Sequence, residues 1–383
     1  MQVNRVTPYL IHPGWGKNWL YVKVETDEGL TGWGEAYTQI DRDTVVSAMV
    51  DELGRHLLGR DPFHIKQFTA MAFNDFAVRR GSLEFYSALS GIEIALWDIV
   101  GKAAGQPVYN LLGGPCRDRI RVYANGWYKG ARTPADHARA AEEVVAAGFG
   151  ALKFDPFPGP FRSHISRADE DFAVACVAAV REAVGPRVDV LVEVHRRLAP
   201  VHAKRVAARL EPYDPFWFEE PCPAENLPEI REVRASTRIP IVTGEALYGK
   251  AAFRAVFELG AADIVNPDVA NTGGILELKE IAAMAEPYQV AVSPHNFNST
   301  AVGLAATLHA SAVMPNFLIA EYFTPFEEVS RELAPNAPVP EGGYLALPTG
   351  PGLGIAIDEE ALARHAYRRF PQRSLPTFRD ERG

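Results

Sequence analysis

Three stretches decide the fold: VLVEVH (190–195), FWFEEP (216–221) and PIVTGE (240–245). Each is a short apolar run that finishes on a carboxylate. Glu193, Glu219 and Glu245 follow one another at intervals of 26 residues. That interval holds one strand, one helix and two short loops. The same rhythm continues on both sides. VYAN (122–125) and ALKFD (151–155) come before; ADIVNPD (262–268), QVAVSPH (289–295) and NFLIAEY (316–322) come after. Amphipathic segments such as DHARAAEEVVAAG and EDFAVACVAAVREAVG lie between them. Eight strands alternating with helices specify a parallel sheet, and eight is the number that closes a (β/α)8 TIM-type barrel. A doubly wound open sheet is the alternative, but no G-x-G-x-x-G follows a strand to favour it. The expected fold class is α/β, with the barrel over residues 121–344.

Residues 1–120 have a different texture and are expected to form an α+β capping domain. Leu20 to Glu25 alternates apolar and polar, Asp27-Glu28-Gly29 makes a turn, and Thr31 to Ala36 returns as a second strand. Helical patterns run through 43–58 and 84–104, the second ending near Gly105 and Pro107. The tail, 345–383, is Gly/Pro-rich (PTGPGLGI) and then helical. It is expected to pack back on the capping domain and complete it.

Composition limits the function. The 383 residues are enough for two domains; 47 % are hydrophobic and 23 % charged, as in ordinary globular chains. A net charge of −9 argues against nucleic acid as a partner, since phosphate recognition needs a basic face. Cys116, Cys176 and Cys222 show neither metal spacing nor an even disulfide set. The opening MQVNRVTPYL lacks a signal pattern, and no apolar run approaches the ~18 residues of a membrane span. The expectation is a cytoplasmic protein with no membrane contact.

In a barrel the last residues of each strand face the site at the C-terminal rim. Those positions here are Lys153 and Asp155 on strand two, Glu193 and His195 on strand three, and Glu219 and Glu220 on strand four. Glu245, Asp268, His295 and Glu321 end strands five to eight. A single strand-end Glu would be unremarkable as a salt-bridged residue. Three at matched spacing converge, and they repel one another unless a cation joins them. All-oxygen ligation without Cys selects a hard ion, Mg²⁺ before Zn²⁺. Glu220 points to the opposite face from Glu219, so it is expected behind the ligand or toward a helix. An Asp on the neighbouring strand can orient His295 as a base, which makes Asp268–His295 a candidate dyad. His195 shares a face with Glu193 and is a candidate general acid, with metal ligation or simple hydrogen bonding as alternatives. His56, His137 and His309 fall on helical patterns and are taken as surface or packing residues.

Further stretches match a known pattern: DEGLTGWGEAY (27–37), SGIEIALWDIVGKAAGQPVYNLLGG (90–114), FEEP (218–221), TGEAL (243–247), NPDVANTGGI (266–275) and SPH (293–295). With these the chain resembles the enolase superfamily, mandelate racemase subgroup, over essentially its whole length. The resemblance implies that Glu193, Glu219 and Glu245 bind one Mg²⁺ and that Asp268–His295 is the base dyad. It also implies that Glu321 hydrogen-bonds the substrate carboxylate, and that the protein is a homo-oligomer, dimer or octamer. Two departures matter. The first metal position is usually Asp, and here it is Glu193. Racemase-type members carry Lys-x-Lys on strand two, and here the text is Lys153-Phe154-Asp155. Racemisation needs a base on each face of the carbon, so the missing second Lys argues against it. His195 instead resembles the strand-three histidine of sugar-acid dehydratases such as galactonate and gluconate dehydratases.

The implied activity is Mg²⁺-dependent dehydration of a sugar acid, an aldonate or aldarate, to a 2-keto-3-deoxy acid. His295 takes the C2 proton, His195 protonates the departing C3 hydroxyl, and Lys153 and Glu321 lie at the substrate carboxylate. Asp155 and the loop HPGWGKNW (12–19), with Trp15, Lys17 and Trp19, are candidate substrate contacts; the loop suits a lid over a polyol. Arg79 and Arg80 in FNDFAVRRGSLEFYS (73–87) are further candidates. Epimerase or sugar-lactone cycloisomerase chemistry on the same scaffold is the nearest alternative, and a non-catalytic sugar-acid binder the next.

Overall fold

The computed structural model describes residues 1–159 and 163–372; the end of the tail, 373–383, lies outside them. The N-terminal region forms a three-stranded antiparallel sheet of β1 (Val3–Ile11), β2 (Trp19–Thr26) and β3 (Thr31–Ala36), in that order. The hairpin matches its sequence signal. β1 was not foreseen: only its two end residues are buried, so it carries no alternation to detect. Helices α1 (Asp43–Arg55), α2 (Ile65–Met71), α3 (Leu83–Ala104) and the one-turn α4 (Val108–Leu111) complete this region.

α3 starts where the Ser82 side chain accepts from the Phe85 amide and stops where Gly105 takes φ 63°. It packs on β3 at very short range. A Cβ on Gly34 would sit 1.8 Å from the Gly91 carbonyl oxygen, so TGWGEA and SGIEIALWD need their glycines for this contact.

The barrel begins with β4 (Arg119–Asn125). It continues through α5 (Pro134–Ala146), β5 (Ala151–Phe154), α6 (Arg167–Val184), β6 (Asp189–Glu193) and α7 (Pro200–Leu210). Next come β7 (Trp217–Glu219), α8 (Leu227–Ala235), β8 (Ile241–Thr243), α9 (Gly249–Leu259) and β9 (Ile264–Val265). The last units are α10 (Ile275–Ala285), β10 (Ala291–Val292), α11 (Ala301–Ala312) and β11 (Ala320–Phe323). Neighbouring strands are parallel in the order β10-β9-β8-β7-β6-β5-β4-β11. The ring closes between its ends: Val292 bridges Phe317, donating to Asn316 O and accepting from Leu318 N. Closure removes the open-sheet alternative.

Two buried carboxylates plug the capping sheet and helix into the barrel. Glu35 on β3 accepts from Ser299 Oγ, Thr300 N and Oγ1, and Gly303 N, at the start of α11. Glu93 on α3 accepts from Ile275 N and Leu276 N at the start of α10. Each negative charge meets unpaired amides and the positive end of a helix dipole. After α12 (Glu327–Leu333), β12 (Tyr344–Ala346) lies antiparallel on β4. The later tail turns to the capping side: Leu353 N donates to Asp98, and Lys23 pairs with Glu359 at the start of α13 (Glu359–Arg364) at 2.7 Å. Among the described residues no helix is long and apolar enough to cross a membrane.

Candidate active site

The three spaced glutamates meet. In the parallel register Glu193 stands opposite Glu219, and Glu245 follows two residues past the end of β8. One carboxylate oxygen from each lies within 4.8 Å of the others. Glu193 and Glu219 are buried, and the Glu245 side chain is 10 % exposed.

Their surroundings differ. Glu219 takes Lys153 Nζ and Asn266 Nδ2 on one oxygen, each at 2.8 Å, and Trp217 Nε1 on the other at 2.9 Å. Glu193 accepts the Val194 and His195 amides on Oε1, while its buried Oε2 has no hydrogen-bond partner. A buried carboxylate oxygen without a donor, facing two more carboxylates, fits a cation ligand. The hard-oxygen donor set fits Mg²⁺ by the same logic. Burial, with Glu245 next, pushes Glu193 up to about 8, and burial with the Glu193 charge raises Glu219 well above the usual carboxylate range. Glu245 goes the other way: despite its burial, Arg196 and His295 hold it well below the usual carboxylate range. Three such acids do not all ionise side by side until a cation balances them.

Strand order places one histidine on each flank of this triad. On the β9–β10 side, Asp268 and His295 bridge through their backbones, and His295 Nδ1 lies 2.6 Å from Asp268 Oδ2. Asp268 Oδ1 is fixed by the Ala270 amide. Nε2 faces the site, 3.2 Å from Glu245 and 3.7 Å from Glu321. Burial opposes the imidazolium, yet Glu245, Glu321 and Asp268 outweigh it and raise the pKa to about 9. Glu321 itself is held by Asn125 Nδ2 and the Asn296 amide, with Lys153 Nζ at 3.7 Å.

On the β5 side, His195 Nδ1 meets Asp155 at 2.7 Å. The expectation that His195 and Glu193 share a strand face has the wrong cause. β6 ends at Glu193, and the chain turns with φ 55° at His195 and 62° at Arg196. The histidine reaches the site through that turn. Asp155, expected to touch substrate, has its oxygens engaged by His195, Arg197 and the Phe157 amide.

The remaining expectations divide. Lys17 lies at the site: its buried Nζ sits 3.4 Å from the centre of the Tyr37 ring and has no hydrogen-bond partner. Burial pushes it down to about 8, while Glu35, Asp268 and Glu321 pull the other way. Trp15 is more peripheral, stacked on Phe323 at the end of β11, with Lys129 Nζ 3.6 Å from its ring centre. Trp19 is buried and donates to Asn298. Arg79 and Arg80 are exposed, Arg79 spent on Asn74, and neither joins the cluster. His309 and His137 are buried packing residues and His56 is exposed.

Sequence reasoning missed Arg196, Asn125 and Asn266. Arg196 bridges Glu245, at 2.5 Å, and Glu220, at 3.2 Å. Glu220 does lie behind the ligands, its other oxygen accepting from Thr243 Oγ1 and Gly244 N. The signal was the pair of arginines directly after VLVEVH.

Residues 15–113 match the mandelate racemase / muconate lactonizing enzyme N-terminal domain, and residues 136–361 match the enolase C-terminal domain-like family. The chain belongs to the mandelate racemase / muconate lactonizing enzyme family. It is 39 % identical to the D-gluconate dehydratase of Thermoproteus tenax, over 93 % of this chain and 71 % of that one. It is 38 % identical to the D-galactonate dehydratase of Ralstonia pickettii (strain 12J), covering 100 % of this chain and 99 % of the relative. Among solved structures, a mandelate racemase/muconate lactonizing enzyme-like protein from Roseovarius sp. TM1035 superposes with a TM-score of 0.91 at 34 % identity. The alignment covers 98 % of this chain and 99 % of that one. The mandelate racemase/muconate lactonizing enzyme of Jannaschia sp. CCS1 gives 0.89 at 36 %, with the same coverages.

Proposed function

We propose that this enzyme is a hydro-lyase that dehydrates a sugar acid, an aldonate or aldarate, to a 2-keto-3-deoxy acid. The observation that carries the reading is the pair of histidines flanking the triad, each held at Nδ1 by its own carboxylate. One nitrogen suits proton removal at C2, the other proton delivery at C3. The dehydratase names of relatives at 38–39 % identity support the same class.

Glu193, Glu219 and Glu245 would hold one Mg²⁺, which when bound supplies charge stabilisation at the substrate carboxylate as the neighbouring C–H is broken. Lys153 and Glu321 bracket that carboxylate, Lys153 adding a second positive charge. Asp268 fixes the His295 tautomer so that Nε2 takes the C2 proton. The electron pair forms the C2–C3 double bond as the C3–O bond breaks. His195 gives its Nε2 proton to the departing hydroxyl, which leaves as water, and the enol tautomerises to the ketone. Asp155, tied to Arg197, keeps His195 aimed. Lys17, an unsatisfied buried donor over Tyr37, is placed to meet a substrate oxygen from the capping side. A carboxylate rather than an ammonium at position 155 supports dehydration over racemisation.

Solitary thiols at Cys116, Cys176 and Cys222 support a reducing, cytoplasmic setting. A homo-oligomer, dimer or octamer, belongs to the same proposal.

The test is a 2-keto-3-deoxy acid assay over a stereochemically complete panel of aldonic and aldaric acids, with Mg²⁺ and with EDTA. Metal-dependent keto product from one or a few acids is the expected result. No keto product, with C2 proton exchange in D₂O, would move the function to an epimerase or cycloisomerase.

A further inference from the structure

The three triad carboxylates are not held equally. Glu219 is fixed by three neutral or cationic donors and Glu193 by two backbone amides. Glu245 projects from beyond β8, and the charged groups against it are Arg196 on Oε1 and His295 on Oε2. His295, as the proton acceptor, changes charge during turnover and cannot be a constant strut. Arg196 keeps its charge throughout.

Arg196 is itself anchored. Its amide donates to Glu220 O at 2.7 Å and its guanidinium to Glu220 Oε2 at 3.2 Å. Glu220 is fixed in turn by Thr243 Oγ1 at 2.9 Å and Gly244 N at 2.8 Å. The arrangement strains the backbone: His195, Arg196 and Glu220 take φ 55°, 62° and 46°, a region that non-glycine residues avoid. Strain of this kind persists where the surroundings enforce it, typically at functional sites.

We infer that Arg196 is a positioning residue for the metal centre: braced on Glu220, it occupies one oxygen of Glu245 and so fixes the orientation in which that carboxylate can serve the ion. The inference rests on the metal reading of the triad. A positive charge so close to a ligand would by itself repel the ion. Glu220 cancels that charge at 3.2 Å, so geometry rather than net charge should dominate.

Arg196→Gly deletes the guanidinium without adding strain, because Gly accepts the φ at position 196. Titration of the full, EDTA-stripped chain with Mn²⁺ alone, by calorimetry, should show at least about tenfold weaker binding than wild type. Millimolar guanidinium ion should recover much of the loss by filling the vacated slot. Arg196→Lys, with the charge but not the planar fork, should fall between the two, and it serves equally if the Gly variant is poorly folded. Variants binding Mn²⁺ as tightly as wild type, or more tightly, overturn the positioning role. Wild-type protein that takes up no Mn²⁺ overturns the metal reading itself.

Discussion

The two flanks of the triad use the same pairing, an imidazole Nδ1 against an Asp, in opposite settings. His295 is buried, its side chain 6 % exposed, and its backbone continues the barrel register through the bridge to Asp268. His195 is 44 % exposed and stands on a left-handed turn past the end of β6. One is fixed by the sheet and the other by a rim loop with Asp155 and Arg197 behind it. The difference suits two jobs. Removing a weakly acidic C–H proton demands a base locked against the carbon and shielded from water. Protonating a hydroxyl that departs as water is done by a group near solvent that must be recharged each turnover.

The sharpest way to break this division is to replace each histidine. His295→Asn should abolish both keto-acid formation and C2 proton exchange in D₂O, each by about 10³-fold or more. His195→Asn should cut keto-acid formation by roughly 10²- to 10³-fold while C2 exchange persists. Rate and exchange are read by keto-acid assay and by proton NMR of substrate in D₂O. Loss of exchange in both variants would mean that the two flanks act on one proton transfer, and the division fails. Keto-acid formation surviving in His195→Asn would remove the acid role alone.

The same contrast explains what the sequence carried. Glu193 and Glu219 end their strands and Glu245, Asp268 and His295 follow two or three residues past theirs, so barrel periodicity alone put them at one rim. The tautomer-fixing Asp268 was legible because its strand is next to that of His295. The β6 rim was not legible in the same way. His195 was assigned to the site by an alternation that stops at Glu193, and Arg196 lies on a turn that its residue types do not announce. Asp155 was placed at the site, but its partner Arg197 was not legible, because that residue reaches it across 42 residues of sequence. Lys17 and Trp15 stood in one loop, yet only the structure separates the buried amine from the half-exposed ring. β1 was missed because a strand with little buried surface has no pattern to see.

A smaller effect tests how firmly the rim side is held. Asp155→Asn keeps the shape but weakens the grip on His195 Nδ1 and on Arg197. It should lower kcat by about 10- to 100-fold with KM little changed, the usual cost of losing a group that orients a catalytic residue. Loss in KM with kcat intact would instead make Asp155 a substrate contact, as the sequence alone suggested.

The smallest effect concerns charge on the buried side. In the metal-free protein His295 titrates at about 9, against roughly 6.5 for an imidazole in the unfolded chain. The folded state therefore binds the extra proton. Stability from it is fully present below about pH 6.5 and is lost as pH rises toward 9. EDTA-treated wild type should lose Tm across that interval, and His295→Gln should lose less. Added Mg²⁺ should raise Tm more at pH 9 than at pH 6.5, because cation ligation requires the triad deprotonated and Glu193, raised to about 8, is then ionised. Identical pH slopes for wild type and His295→Gln would mean that the proton held in the metal-free centre belongs to the carboxylates alone, and that His295 waits as a neutral base before any ion binds.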